Sequence, residues 1–176
     1  MKDEYFYVLA FGSNLNEARM AYRCPGAVPV GTALIKDHQL VFRRSATGFY
    51  ASIDVDPGSQ TPAVVWKLSK ANLRRLDKFE GYPVCYDRKR ITTWVRWFDT
   101  GRGSKCACLA YVLPEDAEVG MPTYAYFSLL DKGYERWGFQ KNSLYKGLIW
   151  SAGYETMLGW LVGYETAEKK KKGGFR

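Results

Sequence analysis

Residues 5–11, YFYVLAF, are apolar at every position, and no other stretch limits the fold of this chain as much. Seven residues are too few for a stable isolated helix, and the aromatic content suits a strand covered on both faces. The segment predicts an interior strand, not an edge. It breaks at Gly12-Ser13-Asn14 and resumes as LNEARMAY, where Ser13 or Asn14 can cap a helix beginning near Leu15, with Glu17 in its first turn. The opening unit reads strand, tight glycine turn, helix start. Such a turn aims several backbone N–H groups at one spot that suits a carboxylate or phosphate, although a plain capped helix start has the same pattern.

Strand-like runs follow. ALI, a polar turn at Lys36-Asp37-His38, LVFRR, a break at Gly48 and the alternating segment Tyr50 to Val55 read as hairpins. Pro57-Gly58 and Pro62 bound another turn before AVVWKL, and Ile91 to Phe98 and Cys106 to Leu113 add two more runs. About seven short strands point to a barrel or a strongly curled sheet. Two helices interrupt them. Ser69 suits the N-cap of KANLRRLDKFE, which Gly81 can end. After Pro122, the residues Tyr126, Leu129, Leu130, Gly133, Tyr134 and Trp137 recur at amphipathic helical spacing. That stripe reads as core packing, with a base-stacking platform as the other reading.

The length of 176 residues and an aromatic share of 16% exclude disordered and fibrous classes and predict one domain, residues 1–164. The formal charge of +8 lies mostly in Lys169, Lys170, Lys171, Lys172 and Arg176. Residues 165–176 therefore read as a flexible basic tail, either a permissive terminus or a polyanion-binding arm. Cys24, Cys85, Cys106 and Cys108 form no CxxC pair and meet a single histidine, His38, so no metal site is expected. Lys2-Asp3-Glu4 before a short apolar run does not resemble a secretory signal, and no stretch is long enough to span a bilayer. The expectation is a soluble cytoplasmic protein with reduced thiols and no membrane partner.

Glu80 breaks the pattern. It follows Leu76 by four residues and Leu73 by seven, so it projects from the stripe those leucines commit to the core. Phe79, Tyr82 and Tyr86 surround it in sequence, and the helix C-terminus opposes an ionised carboxylate there. Desolvation and dipole both raise its pKa. Pattern alone leaves two readings open: an outward salt bridge with Arg88 or Arg75, or a proton shuttle poised near neutrality. Ser13 is a poor candidate nucleophile, because its flanks are not Gly-x-Ser-x-Gly and only one histidine could serve as base.

LAFGSNLNEARM resembles the YGSNL signature of the γ-glutamylcyclotransferase family, and WKLSKANLRRLDKFEGYPVCYDR resembles its downstream strand, helix, Glu-Gly and tyrosine. The resemblance covers roughly residues 5–150. It implies an α+β fold, a small mixed β-barrel flanked by α-helices, with no metal or organic cofactor. It implies an amine-releasing enzyme that converts a small γ-glutamyl amide to 5-oxoproline. The family's amide loop maps to Gly12, Ser13, Asn14 and Leu15, its catalytic glutamate to Glu80, and its pocket tyrosines to Tyr86, Tyr111 and Tyr126. Phe11 stands where the family has a tyrosine. The leaving-group side is expected from loops 99–105 and 138–150, which carry no clear charge signature. The alternatives are a nucleic-acid or polyanion module using the basic tail, and an inactive family member. Nucleic acid is the less favoured partner, and the sequence does not set an oligomeric state.

Overall fold

The computed structural model describes residues 4–173. Its centre is a closed five-stranded barrel of β1 (Tyr5–Ala10), β2 (Val28–Ser45), β3 (Gly48–Ser69), β4 (Asp87–Trp97) and β5 (Gly103–Val112), ordered β1-β3-β2-β4-β5. Neighbours are antiparallel except β1 and β5, which run parallel through Val8–Leu109 and Leu9–Ala110. The mixed barrel flanked by helices is therefore as the family resemblance implies.

Five strands stand where about seven short ones were expected. The apparent turn at 36–38 is an irregularity inside one long β2–β3 hairpin, whose ladder runs from Val28–Lys67 to Ser45–Gly48. Asp37 takes a left-handed φ of 56° and its carboxylate accepts from the Gly58 N–H at 2.9 Å. The Pro-Gly segment on the facing strand thus leaves the ladder and is tied down locally, and pairing resumes at His38–Val55. Turn chemistry here marks a bulge in a strand and not its end.

A 3₁₀ turn (Ser13–Leu15) follows β1 and leads into α1 (Glu17–Arg23). The cap of α1 is Asn16, whose side chain accepts from the Arg19 N–H, and not Ser13 or Asn14. The extra turn explains the shift: Leu15 N–H bonds Gly12 O at 3.0 Å before the α-helix begins. α2 (Lys70–Glu80) starts at Ser69, which accepts from the Asn72 N–H, and stops at Gly81 with φ 68°. α3 (Tyr124–Trp137) is capped by Thr123.

Two further helices, α4 (Asn142–Ala152) and α5 (Tyr154–Gly173), occupy a region read from sequence as loop and tail. α4 lies against β2, where Ser151 Oγ accepts from the Phe42 N–H and donates to Gly147 O. α5 docks through Trp160 and Tyr164, whose rings pack on Phe127 and Tyr124 of α3. The expected tail from residue 165 is helical as far as Gly173, because Glu168 and the lysines are good helix formers and Lys171 pairs with Glu168 at 3.0 Å. Lys169 to Lys172 are exposed on it, while residues 174–176, including Arg176, lie outside the described residues, as do Lys2 and Asp3 at the other end. Among the described residues no helix is long and apolar enough to cross a membrane.

Candidate active site

The loop after β1 and the last residues of β5 emerge side by side, because these are the two parallel strands, and α2 ends beside them. Leu9, Ala10, Phe11, Gly12, Ser13, Asn14, Ala51, Glu80, Tyr86, Tyr111 and Tyr126 enclose one small hollow of about 30 Å³. Seven of the eight residues picked out from sequence thus converge. Leu15 is the exception: its side chain is buried in the core and its amide closes the 3₁₀ turn.

The loop is held from outside. Trp66 Nε1 donates to Asn14 O at 3.1 Å, and Trp137 Nε1 donates to Leu15 O at 2.8 Å. Both indoles fix carbonyls, the Leu15 amide is consumed by Gly12 O and the Ser13 amide meets the Tyr126 hydroxyl, so the amides of Gly12 and Asn14 remain for a ligand. Gly12 is required by close approach and not by a left-handed backbone, since its φ is −114°. A Cβ there would lie 3.1 Å from the Tyr126 hydroxyl and 3.2 Å from the Ala51 Cβ.

Glu80 points inward, with its side chain only 12% exposed. Its Oε1 accepts from Asn14 Nδ2 at 2.8 Å and from Arg23 Nη1 at 3.1 Å. The same guanidinium nitrogen donates to Asn14 Oδ1 at 2.7 Å, closing a three-residue ring around one carboxylate oxygen. Burial raises the Glu80 pKa above the ordinary glutamate range, while the Arg23 charge and the Asn14 hydrogen bond hold it partly down. The partners expected from sequence are engaged elsewhere. Arg88 pairs with Asp77 at 2.9 Å, and Arg75 Nε donates to Arg23 O at 3.0 Å. Arg23 itself was missed, because nothing in the periodicity of a seven-residue helix says that its last residue turns back onto a carboxylate 57 positions away.

The three tyrosines differ in what their hydroxyls do. Tyr111 donates to Asp77 Oδ1 at 2.6 Å. Tyr126 accepts from the Ala51 N–H at 3.1 Å, which leaves its own proton to donate. Tyr86 returns over Glu80 through the turn in which Val84 and Cys85 N–H both bond Gly81 O. Burial is the main cause holding all three phenols protonated, their pKa values raised well above that of a free tyrosine. Phe11, in the position of the family tyrosine, is buried against the hollow and offers it no hydroxyl. Among the described residues no group of His, Cys, Asp or Glu is arranged to hold a metal ion.

Comparison with known proteins agrees with this geometry. A bovine γ-glutamylcyclotransferase is 41% identical over 85 residues, and the human one is 37% identical over 86. These alignments cover 44% and 45% of this chain and 45% and 46% of the relatives, so the match spans under half the length of each. A solved γ-glutamyl cyclotransferase structure superposes with a TM-score of 0.67 at 28% identity, covering 76% of this chain and 80% of that one. The family model for γ-glutamyl cyclotransferase, AIG2-like, matches residues 8–129, a stretch that holds the amide loop, Glu80 and all three tyrosines. With well over half of its length matched and a barrel of the same kind, the chain belongs to the γ-glutamyl cyclotransferase, AIG2-like family.

Proposed function

We propose that this protein converts γ-glutamyl amides to 5-oxoproline and a free amine or amino acid, with Glu80 as the group that moves the proton. One observation carries the reading: a nearly dry carboxylate has one oxygen held by two donors, and it stands beside a loop whose free amides can take a second carboxylate.

A γ-glutamyl amide brings its own nucleophile. Its α-amine folds back on the γ-carbonyl carbon to close a five-membered ring, and the gain from holding that bend can reach an effective molarity of ~10⁵ M or more. In this chain the amides of Gly12 and Asn14 bind the α-carboxylate of the substrate, while the Ser13 amide holds Tyr126. Glu80 Oε2, the oxygen left free by Asn14 and Arg23, removes a proton from the α-ammonium group. The amine nitrogen then bonds to the γ-carbon, and the carbonyl oxygen gathers negative charge. The Tyr126 hydroxyl, whose oxygen accepts from the Ala51 and Ser13 N–H groups, donates its proton towards that oxygen. Protonated Glu80 then gives its proton to the departing nitrogen as the γ-carbon–nitrogen bond breaks. The regenerated carboxylate takes the second proton from the ring nitrogen and passes it to the freed amine, which leaves as an ammonium ion.

The test is direct. The purified full chain, offered a panel of γ-glutamyl amino acids and γ-glutamyl amines, is expected to release 5-oxoproline, read by chromatography. A correctly folded chain that forms no lactam from any member would refute the assignment.

A further inference from the structure

The Glu80 hollow is too small for a whole γ-glutamyl amide, and Ser13, Glu80, Tyr86 and Tyr126 also line a second, open cavity of about 500 Å³ directly outside it. A substrate whose α-carboxylate reaches the hollow must leave the rest of its length, the departing group included, in this cleft. Neither residues 99–105 nor residues 138–150, the latter mostly helix α4, line it; its walls come from α1, the end of α2, the β2–β3 hairpin and the start of α3. Its charged side chains are Arg19, Arg23, Lys78 and Glu80. Arg23 and Glu80 satisfy each other at 3.1 Å. Arg19 and Lys78 reach no carboxylate within ion-pair distance among the described residues. The cleft therefore carries two cations that no carboxylate contacts, with Glu80 acting on Arg19 only at longer range.

The chemistry of the departing group decides what such a cleft accepts. A simple amine, joined as a neutral amide, brings no charge for the cations to hold. A neutral amino acid brings one carboxylate. An acidic amino acid brings two, matching the two unpaired cations. We propose that the outer cleft is the leaving-group subsite and that it selects γ-glutamyl amides of acidic amino acids, with Arg19 and Lys78 as the specificity-determining side chains. This deepens the cyclotransferase reading and rests on it for the chemical step.

The test compares γ-glutamyl-glutamate, γ-glutamyl-glutamine and a γ-glutamyl alkylamine on the full chain. At low salt, kcat/KM for the glutamate dipeptide exceeds that for the glutamine dipeptide by about three- to tenfold, the worth of one added exposed ion pair or a little more. The alkylamine is the poorest of the three. At 1 M salt, where the screening length falls to ~3 Å, the preference shrinks towards unity. Arg19→Gln reduces it and Lys78→Glu inverts it. A wild-type ratio at or below one, or a ratio that both substitutions leave alone, overturns the proposal. Binding keeps the two readings separable, and calorimetry on the Glu80→Gln chain measures both dipeptides without turnover. Tighter, salt-sensitive binding of γ-glutamyl-glutamate with no 5-oxoproline from the wild type would keep the subsite and sink the cyclotransferase. Lactam from all three at equal efficiency would do the reverse, and equal affinities would also sink the subsite.

Discussion

Asp77 and Glu80 stand three residues apart on α2, each meeting an arginine from another element, and their oxygens are used differently. Both oxygens of Asp77 accept from Arg88 Nη1 at 2.9 Å, and Tyr111 adds a third bond at 2.6 Å. Glu80 receives both of its donors, Asn14 and Arg23, on Oε1, and no donor among the described residues reaches Oε2. Asp77 ties α2 to β4 and β5 and has little capacity left. Glu80 is fixed in place yet half unused, and it lines the hollow. A carboxylate that is saturated stabilises a fold; one that is oriented but unsaturated can exchange a proton.

The largest effect that could break this contrast comes from neutralising each acid in turn. Glu80→Gln is expected to lower kcat by ~10² to 10⁴, the usual worth of a positioned acid or base, with substrate affinity largely kept. Asp77→Asn instead leaves Arg88 without its counter-charge, and about 1–3 kcal/mol of stability should go with it. Parallel urea denaturation and 5-oxoproline assays separate the two outcomes. If Asp77→Asn costs turnover as much as Glu80→Gln while both stay folded, the division of labour on α2 is wrong.

Next in size is the loop. Gly12→Val places carbon where the Tyr126 hydroxyl and Ala51 now sit at 3.1 and 3.2 Å, so the loop or Tyr126 must shift. KM is expected to rise about tenfold or more, on the scale of a charge-assisted hydrogen bond lost from the substrate carboxylate. Initial-rate kinetics on a variant with unchanged circular dichroism decides it, and an unaltered KM would place the carboxylate elsewhere.

Arg23 sharpens the comparison through pH. Burial raises the Glu80 pKa and Arg23 opposes the rise. A raised acid binds its proton more tightly in the folded chain, so its contribution to stability falls as pH climbs from the ordinary glutamate range through the folded value. Activity runs the opposite way, because the base must be ionised, and the acid limb of kcat/KM should lie above the ordinary carboxylate range. Arg23→Met removes the opposing charge and is expected to move that limb to higher pH, with Arg23→Lys moving it back. A pH–rate profile that the methionine leaves in place would reduce Arg23 to a structural partner.

How much of this could be read beforehand follows from how local each signal is. α2 was legible from end to end, because Ser69, the Leu73–Leu76 spacing and Gly81 are near-neighbour signals, and the structure places its ends at those residues. Glu80 was legible as a misplaced charge on an apolar stripe. Its partner was not, since Arg23 arrives through the packing of α1 against α2 and no spacing records that approach. Turn residues at Asp37 and Pro57-Gly58 suggested strand ends that the long hairpin overrides with a bulge, because its ladder resumes on the far side. α5 was hidden by its lysines, whose helix propensity is good even where their charge suggests a solvated tail.

The finest division concerns two tyrosines on the same hollow. Tyr126 accepts from the Ala51 N–H and has its proton free, whereas the Tyr111 proton is committed to Asp77. Removing the hydroxyl should therefore act on different quantities. Tyr126→Phe withdraws a donor from the charge that develops on the γ-oxygen, and kcat/KM should fall about tenfold, within the range for a hydrogen bond to a charged group. The Ala51 amide also loses a partner, so a modest fall in stability accompanies it. Tyr111→Phe removes one of three bonds to Asp77 and should cost about 1 kcal/mol in urea titration, with a smaller effect on kcat/KM than on stability. The informative quantity is the ratio of kinetic to thermodynamic loss, which should be high for Tyr126 and low for Tyr111. Were the two variants to show the same ratio, the direction of the hydroxyl proton would not be what distinguishes a reacting residue from a supporting one in this hollow.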